Sequence, residues 1–302
     1  MTQFYNYVRD CAQLMRLPAM FTVCSNVIAA YWVATHYWGD ANHSVSHFEF
    51  YPFVLTLFAS LCLYHGGMVL NDCFDLEVDR KERPDRPLPS GKIAIRHAWC
   101  FGWGLLSFGV LLALLVSFKT ALIALILALA IVAYDGGPRQ GWKAAINMGF
   151  CRYLNWIMAM SAVGLDWQLA VIPIPLLFYI IALSRISQEE AEAADRKVLV
   201  GAGVMVLIAV GVWGAAFIGG LFQGIFAIIA LLVGLAFLSR AFFRVYQSFS
   251  PVTLQAVVGL LVLGVIPLDA LLLASTGHVI VALLLLLLLL PGKWLARFLY
   301  VS

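Results

Sequence analysis

Three aspartates stand at helical spacing directly after an apolar stretch of the sequence. Asp72, Asp75 and Asp79 lie in the segment NDCFDLEVD, and their i, i+3, i+7 spacing puts them on one face if the helix continues. Like charges on one helix face repel one another, and a cation between them would explain the pattern. Mg²⁺ binds carboxylate oxygens together with water and phosphate oxygens. The spacing therefore favours an Mg²⁺ site; the alternative is a polar helix end that only terminates a membrane span.

A second acidic group follows a later apolar stretch. The segment SQEEAEAADRK contains four acids, Glu189, Glu190, Glu192 and Asp195, and Glu189 and Glu192, at i and i+3, form one candidate pair of metal ligands. Gln188, Glu192 and Asp195 form an alternative set at i, i+4 and i+7. An amphipathic surface helix held by Glu–Arg pairs is the competing interpretation. Two acidic groups on one membrane face, with basic residues among them, predict a site for a diphosphate whose apolar tail lies in the bilayer.

The composition assigns the chain to the helical membrane proteins. Of 302 residues, 63% are hydrophobic and 12% are charged, whereas soluble domains carry about 25% charged residues. Apolar runs of about 18 residues or more, long enough to cross about 30 Å of hydrocarbon, recur along the chain. The predicted fold is an all-α polytopic membrane bundle of nine or ten transmembrane helices, forming one domain over residues 1–302. No nucleic-acid partner is expected.

Basic residues predict how the helices are oriented. We identify ten apolar segments, at residues 17–36, 51–71, 97–117, 120–135, 145–164, 168–186, 198–217, 221–240, 253–274 and 278–297. With ten crossings, nearly all Lys and Arg residues fall on the side of the N-terminus, and Lys119 falls on the other side. Loops rich in Lys and Arg are usually cytoplasmic. We therefore expect an integral protein of a bacterial inner membrane, with both acidic groups on the cytoplasmic side.

Two ionisable residues lie inside apolar segments. Arg152 stands in INMGFCRYLNW and Asp269 stands in VIPLDALLL. A charge inside a membrane is costly and needs a partner. Arg152 is predicted to contact diphosphate or a motif carboxylate, with interhelical pairing as the alternative. Asp269 is predicted either to act as a base on the acceptor side or to make helix–helix hydrogen bonds.

Several motifs together resemble the UbiA superfamily of intramembrane prenyltransferases. NDCFDLEVD matches that superfamily's first Asp-rich motif, N-D-x-x-D-x-x-x-D, and RPDRPLPSGKI resembles the segment that follows it. YDGGPRQGWKAAINMGF resembles the superfamily's stretch after the fourth segment, and MRLPAMFTVCSN resembles its first segment. The pieces MRLPAMFTVCSN, YDGGP and CRYLNW look closest to the EboC-like branch. The likeness covers nearly the whole chain.

This resemblance implies a helical bundle around a central cavity that opens sideways to lipid. It implies Mg²⁺-dependent ionisation of a prenyl diphosphate, expected here to be C10–C20, and capture of the prenyl group by a lipophilic acceptor, expected to be aromatic. The implied catalytic residues are Asp72, Asp75, Asp79 and Lys143, and the three aspartates, with Glu189 and Glu192, are the expected metal ligands. The implied substrate-binding residues are Arg16, Asn71, Arg86, Tyr134, Lys143 and Arg152.

Departures from the superfamily pattern leave two other functions open. The second acidic segment uses Glu and lacks the Gly and Thr that follow the superfamily's second motif, and Tyr64 and His65 stand where an arginine is expected. The first alternative is a related enzyme that cyclises its own prenyl substrate without an acceptor. The second is a non-enzymatic protein that binds or transports a lipid-linked intermediate.

Overall fold

The structure, a computed structural model, describes residues 9–41, 48–138 and 140–300 of the chain. Within these ranges the chain consists of helices joined by turns and contains no strand, so the all-α prediction is confirmed there. Two short 3₁₀ helices, Leu17–Ala19 and Leu286–Leu288, accompany the α-helices. The α-helices are α1 (9–14), α2 (Met20–Ala41), α3 (Phe50–Phe74), α4 (Leu76–Glu82), α5 (Ile95–Val116), α6 (Phe118–Asp135), α7 (Trp142–Ser161), α8 (Trp167–Val171), α9 (Ile174–Ser187), α10 (Val198–Ile218), α11 (Gly224–Gln247), α12 (Pro251–Leu263), α13 (Val265–Ser275), α14 (Val279–Leu285) and α15 (Leu289–Tyr300).

Eight helical segments of the described chain are long and apolar enough to cross a membrane. α7 gives a ninth helix of spanning length, because its 20 residues extend about 30 Å at the α-helical rise. The tenth predicted segment is broken, since a 3₁₀ turn separates α14 from α15, and its apolar helix is shorter than the other spans. The eight segments are Leu17–Tyr37, Phe50–Phe74, Ile95–Val116, Phe118–Asp135, Trp167–Ser187, Val198–Ile218, Gly224–Gln247 and Pro251–Ser275.

Small residues bring α3, which carries the first acidic motif, close to α5. A Cβ atom added at Gly66 would lie 3.0 Å from the carbonyl oxygen of Gly102. A Cβ atom added at Gly109 would lie 3.0 Å from the carbonyl oxygen of Ala59. Glycine at these positions lets the two backbones approach, as small residues do in many membrane helix pairs. This packing fixes the position of the motif relative to the bundle.

Substitution Gly109→Val is expected to destabilise the bundle, because the added side chain would meet the backbone of α3. Overpacking of this kind costs about 1–3 kcal/mol and should lower the temperature of thermal unfolding in detergent. Gly104→Val is the matched control on α5, since a Cβ atom at Gly104 would have no neighbour within 4 Å. Equal unfolding temperatures for the two variants would contradict the packing described here.

Candidate active site

The helix carrying the first motif continues through its aspartates with one small deviation. α3 and α4 meet at Asp75, whose φ is −88° and ψ is 0°. The backbone N–H of Asp75 donates to the carbonyl oxygen of Asn71, and that of Asp79 donates to Asp75, both at 2.9 Å. These i to i−4 bonds maintain the helical spacing of the motif. Asp72 and Asp79 are both buried.

Arg16 reaches the motif from the turn that precedes α2. Its Nη2 donates to Oδ1 of Asp72 at 3.1 Å and to Oδ1 of Asn71 at 3.3 Å. The Arg16 backbone is left-handed, with φ 49° and ψ 48°, a conformation that costs a non-glycine residue about 1–3 kcal/mol. Tyr64 and His65 both touch this turn: the Tyr64 hydroxyl lies 3.5 Å from the Arg16 carbonyl oxygen, and the His65 ring contacts the preceding residue. They therefore help to hold Arg16 at the motif.

Arg86 approaches the same aspartates from the loop after α4. Its Nη1 donates to Oδ2 of Asp79 at 2.7 Å and lies 3.6 Å from Oδ1 of Asp72. The loop is closed by a backbone hydrogen bond from Ser90 to the carbonyl oxygen of Arg86 at 3.0 Å. Arg16, which precedes the motif in sequence, and Arg86, which follows it, thus balance the charge of two of its aspartates.

A fourth carboxylate joins the site, and the sequence analysis missed it. Asp135, at the end of α6, is buried, and its Oδ1 accepts a hydrogen bond from Nδ2 of Asn71 at 3.2 Å. Its Oδ2 is buried with no hydrogen-bond partner among the described residues. The sequence did contain an indication of this residue. Asp135 ends an apolar segment on the membrane face where the motifs lie, and it directly follows Tyr134, a predicted substrate-binding residue.

Arg16 lines two cavities. The outer cavity, about 380 Å³, is lined by Gln13, Arg16, Asp72, Asp85, Arg86 and Pro87. The membrane cavity, about 420 Å³, lies among α2, α3, α6 and α7, and its apolar wall includes Leu63, Met68, Leu127 and Ile131. A polar group bound in the outer cavity could therefore continue as an apolar chain in the membrane cavity, past Arg16.

The other predicted substrate-binding residues lie in different surroundings. Tyr134 and Arg152 line the membrane cavity. Lys143 is exposed on the first turn of α7 and lines neither of these two cavities. Arg152 makes interhelical hydrogen bonds to Thr22 and Asn26 of α2, which is the alternative considered for it from the sequence.

The second acidic segment forms turns between α9, which ends at Ser187, and α10, which begins at Val198. The amphipathic helix considered for this segment is therefore not formed. Oε2 of Glu189 accepts from the backbone N–H groups of Ala194 and Asp195, at 3.0 and 2.9 Å, so this carboxylate holds its own loop. Glu192 is exposed.

Glu190 is a partly buried acid of the second acidic segment. Burial raises the pKa of Glu190 above its usual value, and the nearby guanidinium of Arg83 acts on this pKa in the opposite direction. Arg83 directly follows α4, and its backbone N–H donates to the carbonyl oxygen of Asp79 at 2.8 Å. The charge of a residue in the loop that follows the first motif therefore acts on Glu190.

The oxygen donors of the first motif fit a hard divalent cation that is completed by substrate. No group of three His, Cys, Asp or Glu residues in the described ranges is arranged to hold a metal ion by itself. Mg²⁺ commonly uses only one or two carboxylates, and water and substrate phosphates supply its other ligands. Asp72, Asp75 and Asp79 offer such carboxylates, and the unpartnered Oδ2 of Asp135 lies beside them through Asn71.

Substitutions at Glu189 and Glu190 are expected to have different effects. Glu190→Gln should weaken Mn²⁺ binding about tenfold or more, measured by electron paramagnetic resonance, with little loss of stability. A carboxyl group with a raised pKa stabilises the fold most at low pH, and this contribution is lost as the pH rises through that pKa. Glu190→Gln should therefore make the free energy of unfolding less dependent on pH. Glu189→Gln should cost about 1 kcal/mol of stability through its two loop hydrogen bonds. Equal effects of both variants on Mn²⁺ binding would contradict these assignments.

Comparison with known proteins identifies the family. The profile of the UbiA prenyltransferase family matches residues 26–250, which is more than half of the chain. The chain belongs to the UbiA prenyltransferase family.

This UbiA-family chain is similar to two enzymes that share one name. It is 28% identical over 167 residues to digeranylgeranylglyceryl phosphate synthase of Methanosarcina barkeri, covering 53% of this chain and 56% of the relative. It is 26% identical over 214 residues to the enzyme of that name from Thermococcus kodakarensis, covering 70% of this chain and 68% of the relative. The first match thus spans little more than half of the relative's length.

Solved structures share the fold. A structure of digeranylgeranylglyceryl phosphate synthase aligns with a TM-score of 0.70 at 20% identity, covering 90% of this chain and 99% of that one. A UbiA homolog from Archaeoglobus fulgidus bound to GPP and Mg²⁺ aligns with a TM-score of 0.63 at 17% identity, with the same coverage. These matches agree with the polytopic helical bundle expected from the sequence.

Proposed function

We propose that this protein is a Mg²⁺-dependent prenyltransferase that moves a prenyl group from a prenyl diphosphate to a lipophilic acceptor within the membrane. The observation that carries the proposal is the junction at Arg16 of a cavity lined by charged residues and a mostly apolar membrane cavity. A prenyl diphosphate has the matching division between an anionic head and an apolar tail. The family membership and the Mg²⁺-bound homologue support this assignment.

The basic residues of the site would hold the diphosphate. Arg16 is paired with Asp72 and Arg86 is paired with Asp79, so both guanidinium groups lie beside the predicted metal ligands. Arginine binds phosphate oxygens through two parallel N–H groups. Both guanidinium groups line the outer cavity and can contact a diphosphate there. Tyr134 would donate from the membrane cavity, and Lys143, on the exposed start of α7, would approach only through movement of its long side chain.

Asp72, Asp75 and Asp79 would hold Mg²⁺, with Asn71, Asp135 and an acid of the second segment nearby. We choose Glu190 for that last role, because Glu189 holds its own loop and Glu192 is exposed. The charge of Arg83, directly after α4, also acts on Glu190. The metal, when bound, supplies Lewis-acid stabilisation of charge on the leaving diphosphate. The apolar wall of the membrane cavity excludes water from the allylic carbon and so protects a reactive prenyl cation from hydrolysis.

The acceptor class is suggested by the relatives. Their name describes a product with two geranylgeranyl groups on glyceryl phosphate. Addition of the second group requires a singly prenylated glyceryl phosphate as acceptor and a C20 donor. The relatives give no support to the aromatic acceptor expected from the sequence. We therefore propose a prenylated glyceryl phosphate as the acceptor and a donor at the upper end of the C10–C20 range.

Mass spectrometry of the reaction products tests this function. The protein in lipid nanodiscs is given C10, C15 or C20 prenyl diphosphate and Mg²⁺, with and without geranylgeranylglyceryl phosphate. We expect pyrophosphate and a doubly prenylated product that forms only with acceptor. Acceptor-independent release of pyrophosphate with a cyclic product would establish the cyclase alternative. Donor binding without any release would favour a binding or transport protein.

A further inference from the structure

Arg152 places a guanidinium group beside the membrane cavity. Its Nη1 donates to Oδ1 of Asn26 at 3.1 Å and its Nη2 donates to Oγ1 of Thr22 at 2.8 Å. Both acceptors are neutral, and in the described part of the chain no carboxylate lies within ion-pair distance of Arg152. Arginines within a membrane usually pair with an anion or face a polar cavity. Arg152 lines the membrane cavity and has N–H groups left to donate.

The orientation of Arg152 is fixed by a buried network. Asn26, which accepts from Arg152, donates through Nδ2 to Oδ2 of Asp269 at 2.7 Å. Asp269 also accepts from Ser25 at 2.5 Å and from the indole N–H of Trp156 at 3.1 Å. The carboxylate of Asp269 therefore reaches Arg152 only through a neutral amide. The network holds the guanidinium in place without neutralising it by direct contact.

Asn155 adds a second unsatisfied group one helical turn further along α7. Asn155 is only 6% exposed, and its Oδ1 accepts a hydrogen bond from Oγ of Ser60 at 2.5 Å. Its Nδ2 is buried with no hydrogen-bond partner in the described part of the chain. Whichever way the amide is turned, one of its polar atoms is unpaired, and leaving a buried polar atom unpaired is costly. Asn155 and Ser60 both line the membrane cavity, so a ligand there can satisfy this atom.

This polar surface shares the membrane cavity with Arg16 and Tyr134 but does not line the outer cavity. Arg86 and Asp72 line the outer cavity, whereas Arg152 and Asn155 line the membrane cavity. One diphosphate at the motif leaves the guanidinium of Arg152 available for a second anion. We propose that Arg152 and Asn155 bind the phosphate of the acceptor lipid, an inference that rests on the proposed transfer between two lipid substrates. The acceptor would then be selected by its negative charge as well as by its apolar chain.

A pair of acceptor probes that differ only in the phosphate tests this proposal. The probes are geranylgeranylglyceryl phosphate and geranylgeranylglycerol, and their binding to the full-length protein in nanodiscs is measured calorimetrically in EDTA. Arg152→Gln is expected to weaken binding of the phosphate probe roughly 10- to 100-fold, because charge-assisted hydrogen bonds are lost. Binding of the uncharged probe should change by less than about threefold. Arg240→Gln removes the same charge from an exposed position on α11 and should change neither.

Further variants separate a binding role from a structural one. Arg152→Lys keeps the charge and should recover part of the affinity for the phosphate probe, and Asn155→Leu should weaken that affinity without removing a charge. If Arg152→Gln does not fold, Asn155→Leu carries the test alone. Equal losses for both probes, or weaker binding of geranylgeranyl thiodiphosphate with unchanged binding of the phosphate probe, would overturn the proposal. If phosphate-probe binding depends on Arg152 but no prenyl transfer occurs, the anion site stands and the proposed function fails.

Discussion

Substitution Asp72→Asn is expected to lower the rate of pyrophosphate release roughly 100- to 1,000-fold. Asp72 is buried and contacts both arginines that line the outer cavity, so it connects the metal-binding motif with the diphosphate-binding groups. The amide keeps the shape of the side chain but removes the negative charge that attracts Mg²⁺. The measurement is the initial rate of pyrophosphate release at saturating donor, followed by a titration with Mg²⁺.

The control for this variant lies on the same segment. Glu77→Gln changes an exposed acid of α4 and should leave the rate within about twofold, since surface changes away from a site have small effects. Thermal unfolding of both variants excludes loss of fold as the cause. A rate for Asp72→Asn within tenfold of the unmodified protein would show that this carboxylate does not hold the catalytic cation.

Substitution Asp269→Ala is expected to give the largest loss of stability in the bundle, about 3–5 kcal/mol. Asp269 is fully buried on α13 and accepts hydrogen bonds from Ser25, Asn26 and Trp156. Removing it leaves the buried donors of Asn26 and Trp156 without their acceptor, whereas Ser25 keeps the carbonyl oxygen of Thr22. It also removes the anion closest to Arg152 in this network. The expected result is a large fall in the unfolding temperature in detergent, together with loss of prenyl transfer because Asn26 no longer orients Arg152.

Two comparison variants define the cause of that loss. Asp269→Asn keeps an acceptor oxygen and should lose less stability than Asp269→Ala, about 1–2 kcal/mol. Asp195→Ala removes an exposed aspartate that accepts only a short-range bond from the Lys197 backbone, and its effect should be small. If Asp269→Ala unfolds at the temperature of the unmodified protein, the network does not hold α2, α7 and α13 together.

Much of the fold follows from the sequence because a membrane helix is defined locally. Each apolar segment needs only its own length and composition to cross hydrocarbon, and all ten predicted segments are helical in the described ranges. The first motif was equally accessible, since the spacing of Asp72, Asp75 and Asp79 is a property of one helix. The break between α14 and α15 could not be predicted from the sequence, because an unbroken run of leucines does not indicate a 3₁₀ turn.

The rest of the site depends on contacts between distant segments. Asp135 enters the site only because α6 ends beside Asn71 of α3, and no spacing within α6 indicates this. Glu189 and Glu190 are adjacent in sequence, yet the first closes its own loop and the second is partly buried and subject to the charge of Arg83. Helical periodicity could not distinguish them, because the segment is not a helix. Asp269 likewise had two interpretations, and its three buried donors support helix–helix hydrogen bonding.

The measurement that tests the central claim most directly is pyrophosphate release from geranylgeranyl diphosphate by the purified unmodified protein, with Mg²⁺ and then with EDTA. An acceptor extract of membrane lipid is present in both reactions. We predict release with Mg²⁺ that stops in EDTA and returns when Mg²⁺ is restored. Release that continues unchanged in EDTA, or no release with any donor from C10 to C20 in the presence of Mg²⁺, would contradict a metal-dependent prenyltransferase.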